Sequence, residues 1–230
     1  MQQLPLQILS LPEPTFETFI ATGNDEAISN VRIFAAGAPG QSVFYLWGAV
    51  GSGRTHLLRS AARAAGGIYV PAGAAIVPRD VPLFAVDDIE SLDGARQAHL
   101  FNLINMAREG MTRVLVAGTS AHTHLRLRED LRSRLGWGLT YHLRSLSDDQ
   151  KKTLLRSHAD CLGIALNDEV IELVFARFPR DLWSLDRILE YLDRETLARK
   201  RALTLSLARG ALENFELPRR VSAPDNRGCG

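Results

Sequence analysis

Cysteine is nearly absent from this chain of 230 residues, which has two, Cys161 and Cys229. Such a pair makes neither a disulfide framework nor a thiolate metal site, and it suits a reducing compartment. Charge of one sign is also lacking. Lys and Arg number 27 against 26 Asp and Glu, a net charge of +1, which excludes the broad basic face of a self-sufficient DNA-binding domain. No apolar run approaches the roughly 20 residues that span a bilayer. The N-terminus lacks a basic region followed by an apolar core, so no secretory signal is expected. These absences point to a cytoplasmic protein with no membrane attachment. Apolar residues make up 46% of the chain, enough to fill the core of one large domain or two small ones.

The informative segment is Leu46-Trp47-Gly48-Ala49-Val50-Gly51-Ser52-Gly53-Arg54-Thr55-His56. It matches a phosphate-binding loop, Gly-x-x-x-x-Gly-Lys-Ser/Thr, except that Arg54 stands where the pattern has Lys. Glycines in such a loop let successive backbone N–H groups turn toward phosphate, and the following helix adds its N-terminal dipole. The flanks agree with this reading. Val43-Phe44-Tyr45-Leu46-Trp47 is a continuous apolar run suited to a buried parallel strand, and residues 56–65 carry Leu57, Leu58, Ala61, Ala62 and Ala65 at helical spacing. Gly48, Gly51, Ser52, Gly53, Arg54, Thr55 and His56 are therefore the candidate nucleotide-binding residues. Arg keeps the positive charge, but its planar fork is bulkier than an ammonium. Nucleotide binding with little turnover is the expectation.

Around this loop, strands and helices alternate. Residues 24–36 repeat Ala27, Ile28, Val31 and Phe34 at helical spacing behind Asn24 or Thr22 as cap, short strands are expected at 67–70 and 81–88, a helix at 95–108 and a strand at 113–119. That order implies a parallel sheet with helices on both faces. The third strand ends in Asp87-Asp88. Carboxylates at the C-terminal edge of such a sheet lie where ligands bind, so Asp87, with Thr55, is a candidate to position magnesium and Asp88 to orient a water. Thr119, just past the next strand, reads either as a γ-phosphate sensor or as a plain loop hydroxyl. His122-Thr123-His124 has no accompanying metal-ligand constellation and reads as a solvated loop. Residues 125–135 form a basic helix with Arg126, Arg128, Arg132 and Arg134, stopped by Gly136-Trp137-Gly138. From Ser147 onward four helical patterns follow one another, at 148–162, 168–178, 181–198 and 203–212.

At this point the chain resembles the DnaA/Hda family of AAA+ ATPases. The resemblance is carried by the phosphate loop and the paired acids, by Ser133-Arg134-Leu135-Gly136-Trp137-Gly138, and by Pro14-Thr15-Phe16-Glu17-Thr18-Phe19 before Gly23-Asn24. It implies an α/β AAA+ P-loop fold, a parallel sheet flanked by helices, followed by a small all-helical lid. The expected organisation is an extended arm at 1–14, the nucleotide-binding domain at 15–145, the lid at 146–216 and a disordered tail at 217–230. No DNA-reading module is expected beyond the lid, which separates the short regulators of this family from the initiator.

The resemblance also implies roles. Arg134 falls at the arginine finger, which serves a neighbour's nucleotide rather than its own. The lid arginine that senses the γ-phosphate in the initiator is replaced here by Trp183, with Arg180 and Arg187 one turn to either side as substitutes. Gln3-Leu4-Pro5-Leu6 is similar to the peptide with which such regulators dock on the DNA polymerase sliding clamp, with Gln7 in place of its last Pro. Expected ligands are ADP or ATP with magnesium. Expected partners are DnaA, the clamp, DNA reached through the clamp, and a second copy of the chain. The implied activity is stimulation of ATP hydrolysis on DnaA, more than hydrolysis by this chain itself. Two alternatives are an autonomous ATPase, such as a helicase loader, and a nucleotide-free scaffold.

Overall fold

Val43–Trp47 (β1) is apolar throughout and buried over its first four residues, the signature of a parallel strand covered on both faces. It lies inside a five-stranded sheet whose spatial order is Ile68–Val70 (β2), Phe84–Val86 (β3), Val114–Gly118 (β4), β1 and Leu139–His142 (β5). Every pairing is parallel, with Val43 opposite Val114, Phe44 opposite Leu139, and Val86 opposite both Val70 and Val116. The computed structural model describes residues 14–21 and 23–217, and the chain divides after Ser145 into two units.

Alternation along the strands sorts the first unit's core into two layers. Phe44 and Leu46 face Val31 and Phe34 of Asp25–Ala35 (α1) and Leu57, Leu58 and Ala61 of Arg54–Ala65 (α2). Val43 and Tyr45 face the other way, onto Leu100, Leu103 and Ile104 of Gly94–Arg108 (α3) and Leu131 and Leu135 of Glu129–Leu135 (α4).

Several expected boundaries shift for identifiable reasons. Asn24 precedes α1 but does not cap it, because its side-chain amide donates to the Arg144 carbonyl and its oxygen accepts the Arg144 N–H, both at 2.9 Å. The expected helix at 125–135 begins only at Glu129. Leu125 and Leu127 are buried in the segment before it, and the Arg128 N–H is taken by the Gln97 side chain. The third strand is shorter than 81–88, and β5 lies where the sequence pattern predicts no strand.

The second unit holds Asp148–Cys161 (α5), Asp168–Arg177 (α6), Leu182–Arg199 (α7) and Leu205–Leu212 (α8). Each begins at a side chain that accepts a backbone N–H: Ser147, Asn167, Asp181 and Thr204. At Ser147 the bond is reciprocated by Gln150, a full capping box. Ile171, Val174, Leu185, Ile188, Leu189 and Leu212 form this unit's own core.

Gly138 leads into β5 against the Val43 backbone, where an added Cβ would collide with the Val43 carbonyl. Gly138→Ala is expected to cost about 3 kcal/mol, measured as a lowered urea midpoint for the first unit.

Candidate functional site

The loop between β1 and α2 depends on glycine at three positions. Gly51 and Gly53 have φ of +83° and +94°, the left-handed region that glycine adopts without strain. A Cβ on Gly48 would lie 2.5 Å from the Leu143 carbonyl oxygen, and one on Gly53 would lie 2.5 Å from Phe19 Cε2. Gly53 supplies no side-chain cap to α2, so the first N–H groups of that helix keep no side-chain acceptor of their own. Ser52 is buried, and its Oγ has no hydrogen-bond partner. Open N–H donors, an orphaned hydroxyl and a cradle that any Cβ would fill are the features that suit a phosphate.

Arg54, the first residue of α2, is 8% exposed. Its Nη1 lies 3.3 Å from Asp88 Oδ1. Burial and the neighbouring Asp87 push the Asp88 carboxyl above its usual range, while Arg54 pulls it back down. Asp88 also takes the left-handed conformation, φ 47°, held there as its carbonyl accepts the Ser91 N–H and hydroxyl. Asp87 is buried and held by three donors: Oδ2 accepts from Thr55 Oγ1 at 2.7 Å and Tyr69 Oη at 2.9 Å, and Oδ1 accepts the Asp88 N–H at 3.0 Å. Among the described residues no three His, Cys, Asp or Glu converge as a metal site. A hydroxyl beside one carboxylate nevertheless fits magnesium, which is commonly held by one or two carboxylates together with phosphates.

Three further groups border the loop. The Thr119 hydroxyl and backbone N–H both donate to Glu90 Oε1, the hydroxyl at 2.6 Å. His56 Nε2 donates to the Thr15 carbonyl at 2.8 Å, and its ring meets Phe19 edge-on. Burial lowers the His56 pKa, against the opposite pull of its bond to the Thr15 carbonyl. Phe16, in the same N-terminal segment, is buried among the residues of α1 and α2. Tyr69 and Glu90 are thus site neighbours that no sequence motif marks, and Phe19 brings the segment at 14–19 to the loop.

Arg134 is elsewhere in the first unit. Its guanidinium carbon sits 3.8 Å from the centroid of Phe101 and 5.2 Å from that of Trp137, and its Nη1 is buried without a hydrogen-bond partner. Among the described residues it has no carboxylate partner, whereas nearby Arg128 pairs with Asp130 at 2.6 Å. Trp137 is 51% exposed and carries Arg108 at 4.4 Å.

In the second unit Trp183 is half-buried at the start of α7. The arginines to either side are held by neighbours within the unit. Arg180 pairs with Asp148 and donates to the Phe175 carbonyl, and Arg187 pairs with Glu190 at 3.0 Å. Gln3, Leu4, Pro5 and Leu6 lie outside the described residues.

A parallel sheet with this strand order, a glycine loop leading into α2, acids after β3 and an all-helical second unit define an AAA+ P-loop protein. A family model described as "Hda, lid domain" matches residues 148–212. A Haemophilus influenzae protein described as "Uncharacterized protein" is 33% identical over 230 residues, covering 92% of this chain and 98% of that one. Domain III of the Thermotoga maritima replication initiation protein DnaA is similar in fold, with a TM-score of 0.70 at 20% identity over 90% of this chain and 98% of that one. AMPPCP-bound DnaA from Aquifex aeolicus gives a TM-score of 0.64 at 22% identity, over 82% of this chain and 69% of that one. The chain belongs to the Hda/DnaA-type AAA+ proteins.

Because Gly53 combines a positive φ with the Phe19 contact, Gly53→Ala is expected to weaken nucleotide binding by about 10-fold. Titration with a fluorescent ADP checks it, with the melting curve as the folding control.

Proposed function

We propose that this chain is a nucleotide-bound regulator of DnaA that presents Arg134 to ATP held by DnaA and stimulates its hydrolysis. The observation that carries the reading is the state of Arg134: a cation stacked on Phe101 and Trp137 with no carboxylate partner among the described residues. A guanidinium is always ionised, and rings orient it without neutralising it. Placed in a neighbour's site, it offsets charge that builds on the transferred phosphoryl group, worth about 10³ to 10⁵ in rate. Conversion of ATP-bound DnaA to its ADP form would negatively regulate the initiation of DNA replication.

The chain's own nucleotide, ADP or ATP, would be cradled by the loop of Gly48, Gly51, Ser52 and Gly53, in which the Gly48 and Ser52 N–H groups are already taken by the Gly118 and Ala49 carbonyls, beside Arg54, Thr55, His56 and Thr119. AMPPCP in the Aquifex aeolicus relative supports nucleotide binding by this fold. Magnesium, held by Thr55 and Asp87, would supply charge neutralisation at the phosphates. Arg54 is paired with Asp88, the acid that would otherwise orient an attacking water, and the lid arginines beside Trp183 are held by acids of their own unit. Both features favour a bound nucleotide that acts as a structural element over rapid turnover by this chain. Docking on the sliding clamp through Gln3, Leu4, Pro5 and Leu6 would bring the chain to DNA, and so to the nucleoid of a cytoplasmic compartment.

The test loads DnaA with labelled ATP, adds clamp assembled on DNA, and follows ADP formation with and without the chain. Arg134→Ala is expected to lower the stimulated rate by about 10³-fold while leaving ADP binding and clamp docking intact. A Leu4→Ala, Leu6→Ala double variant is expected to lose only the clamp-dependent part. Full stimulation by Arg134→Ala refutes the finger. Rapid ATP turnover by the chain alone, lost in Asp88→Asn, moves the function to an autonomous motor.

A further inference from the structure

Thr55 on α2 and Asp87 after β3 have a third companion that the nucleotide-binding pattern does not contain. Tyr69 lies in the middle of β2, and its hydroxyl donates to Asp87 Oδ2, the same oxygen that accepts from Thr55 Oγ1. With Oδ1 accepting the Asp88 N–H, three donors fix the plane of one buried carboxylate. The Tyr69 ring is itself held in place. It packs against the apolar layer beneath α1 and α2, and the Arg59 guanidinium lies 4.8 Å over its face. Burial, followed by the charge of Asp87, raises the Tyr69 pKa, so the phenol remains a donor across the physiological range.

We infer that Tyr69 is a positioning residue for the magnesium that accompanies bound nucleotide, holding Asp87 in the orientation at which its carboxylate and Thr55 act on the metal together. This rests on the nucleotide-binding reading above. A carboxylate held only by the Thr55 hydroxyl and the Asp88 N–H can swing about its χ2 bond when Thr55 turns its oxygen toward a cation. The Tyr69 bond comes from a different strand and is independent of that movement, so it keeps Oδ2 where it is. Groups that hold a metal's ligand in place commonly contribute about 10- to 100-fold to metal affinity without touching the metal.

The experiment titrates fluorescent ADP into the full chain in EDTA and at a series of magnesium concentrations, for the wild type, Tyr69→Phe, Asp87→Asn and the double variant. Phe keeps the ring and its packing, and a melting curve verifies this. Tyr69→Phe is expected to leave the affinity in EDTA unchanged and to raise the magnesium concentration giving half the gain by about 10-fold. In the Asp87→Asn background it is expected to add nothing, because the group through which it acts is gone. An unchanged magnesium response in Tyr69→Phe overturns the proposal, as does an equal loss with and without magnesium, which marks a packing role. A wild type that binds no ADP overturns the nucleotide reading and this proposal with it. A wild-type magnesium response retained in full by Tyr69→Phe overturns this proposal alone.

Discussion

Parallel pairing of β1 with β4 and of β4 with β3 brings the C-terminal ends of these strands to one edge of the sheet, and the rest of the site depends on that alignment. Trp47 stands opposite Gly118, so the glycine loop and Thr119 start from neighbouring points. Val86 stands opposite Val116 and Val70, which sets Asp87 one residue beyond an apolar, fully buried strand. The sheet tolerates little side chain at this edge. A Cβ on Gly118 would run into the Tyr45 hydroxyl and the Glu90 carboxylate, two groups that already organise the backbone around Thr119 and Ser120. Ligands of α/β proteins bind outside the carboxyl ends of such strands, and here the residues able to meet a phosphate are concentrated there.

Arg54 is the residue whose energetics set the character of that edge. Its side chain is 9% exposed, while that of Asp88 is 47% exposed, so the two partners of the ion pair do not gain equally. Solvent screens the Asp88 end, and a pair of this kind is worth about 1 kcal/mol or less. Burial of the Arg54 end is costly unless its donors are filled, and Nη1 makes no hydrogen bond. A phosphate offers several acceptor oxygens in place of one half-hydrated carboxylate, and it accepts forked, bidentate bonds from a guanidinium. A bound phosphate can therefore meet the remaining Arg54 donors, while the Nη1 contact with Asp88 keeps the second acid occupied.

Much of the fold was legible because its signals are local. The apolar run of β1, the glycines and the helical spacing of α2 lie within a few residues of one another, and the second unit's helices begin at Ser, Asn, Asp and Thr side chains that satisfy the next free N–H groups. β5 escaped because Leu139–His142 is a short strand at the sheet's edge, partly buried at three positions and exposed at the fourth, and carries no continuous apolar run. Asn24 misled for a different reason. It is a good capping residue by type, yet its amide is committed to Arg144, 120 residues away in sequence. The same distance effect hid Tyr69 and Glu90. Their partners, Asp87 and Thr119, are set by strand register and by a turn after β3, which no spacing within a single segment encodes.

Arg54 and Arg134 carry the same charge in opposite surroundings, and the contrast bears on the function proposed for each. A half-exposed carboxylate beside a guanidinium holds it by about 1 kcal/mol or less and offsets much of its charge. A phosphoryl group arriving from another subunit would have to overcome that attraction before it could use the cation. Ring contacts hold Arg134 differently: a cation over an aromatic face gains about 0.5 to 2 kcal/mol, and no carboxylate among the described residues pairs with it. Phe101 and Trp137 therefore restrict the side chain's conformations at little electrostatic cost to a later partner. This arrangement suits an arginine that acts on another molecule's nucleotide. The Asp88 pairing suits one that keeps its own site quiet.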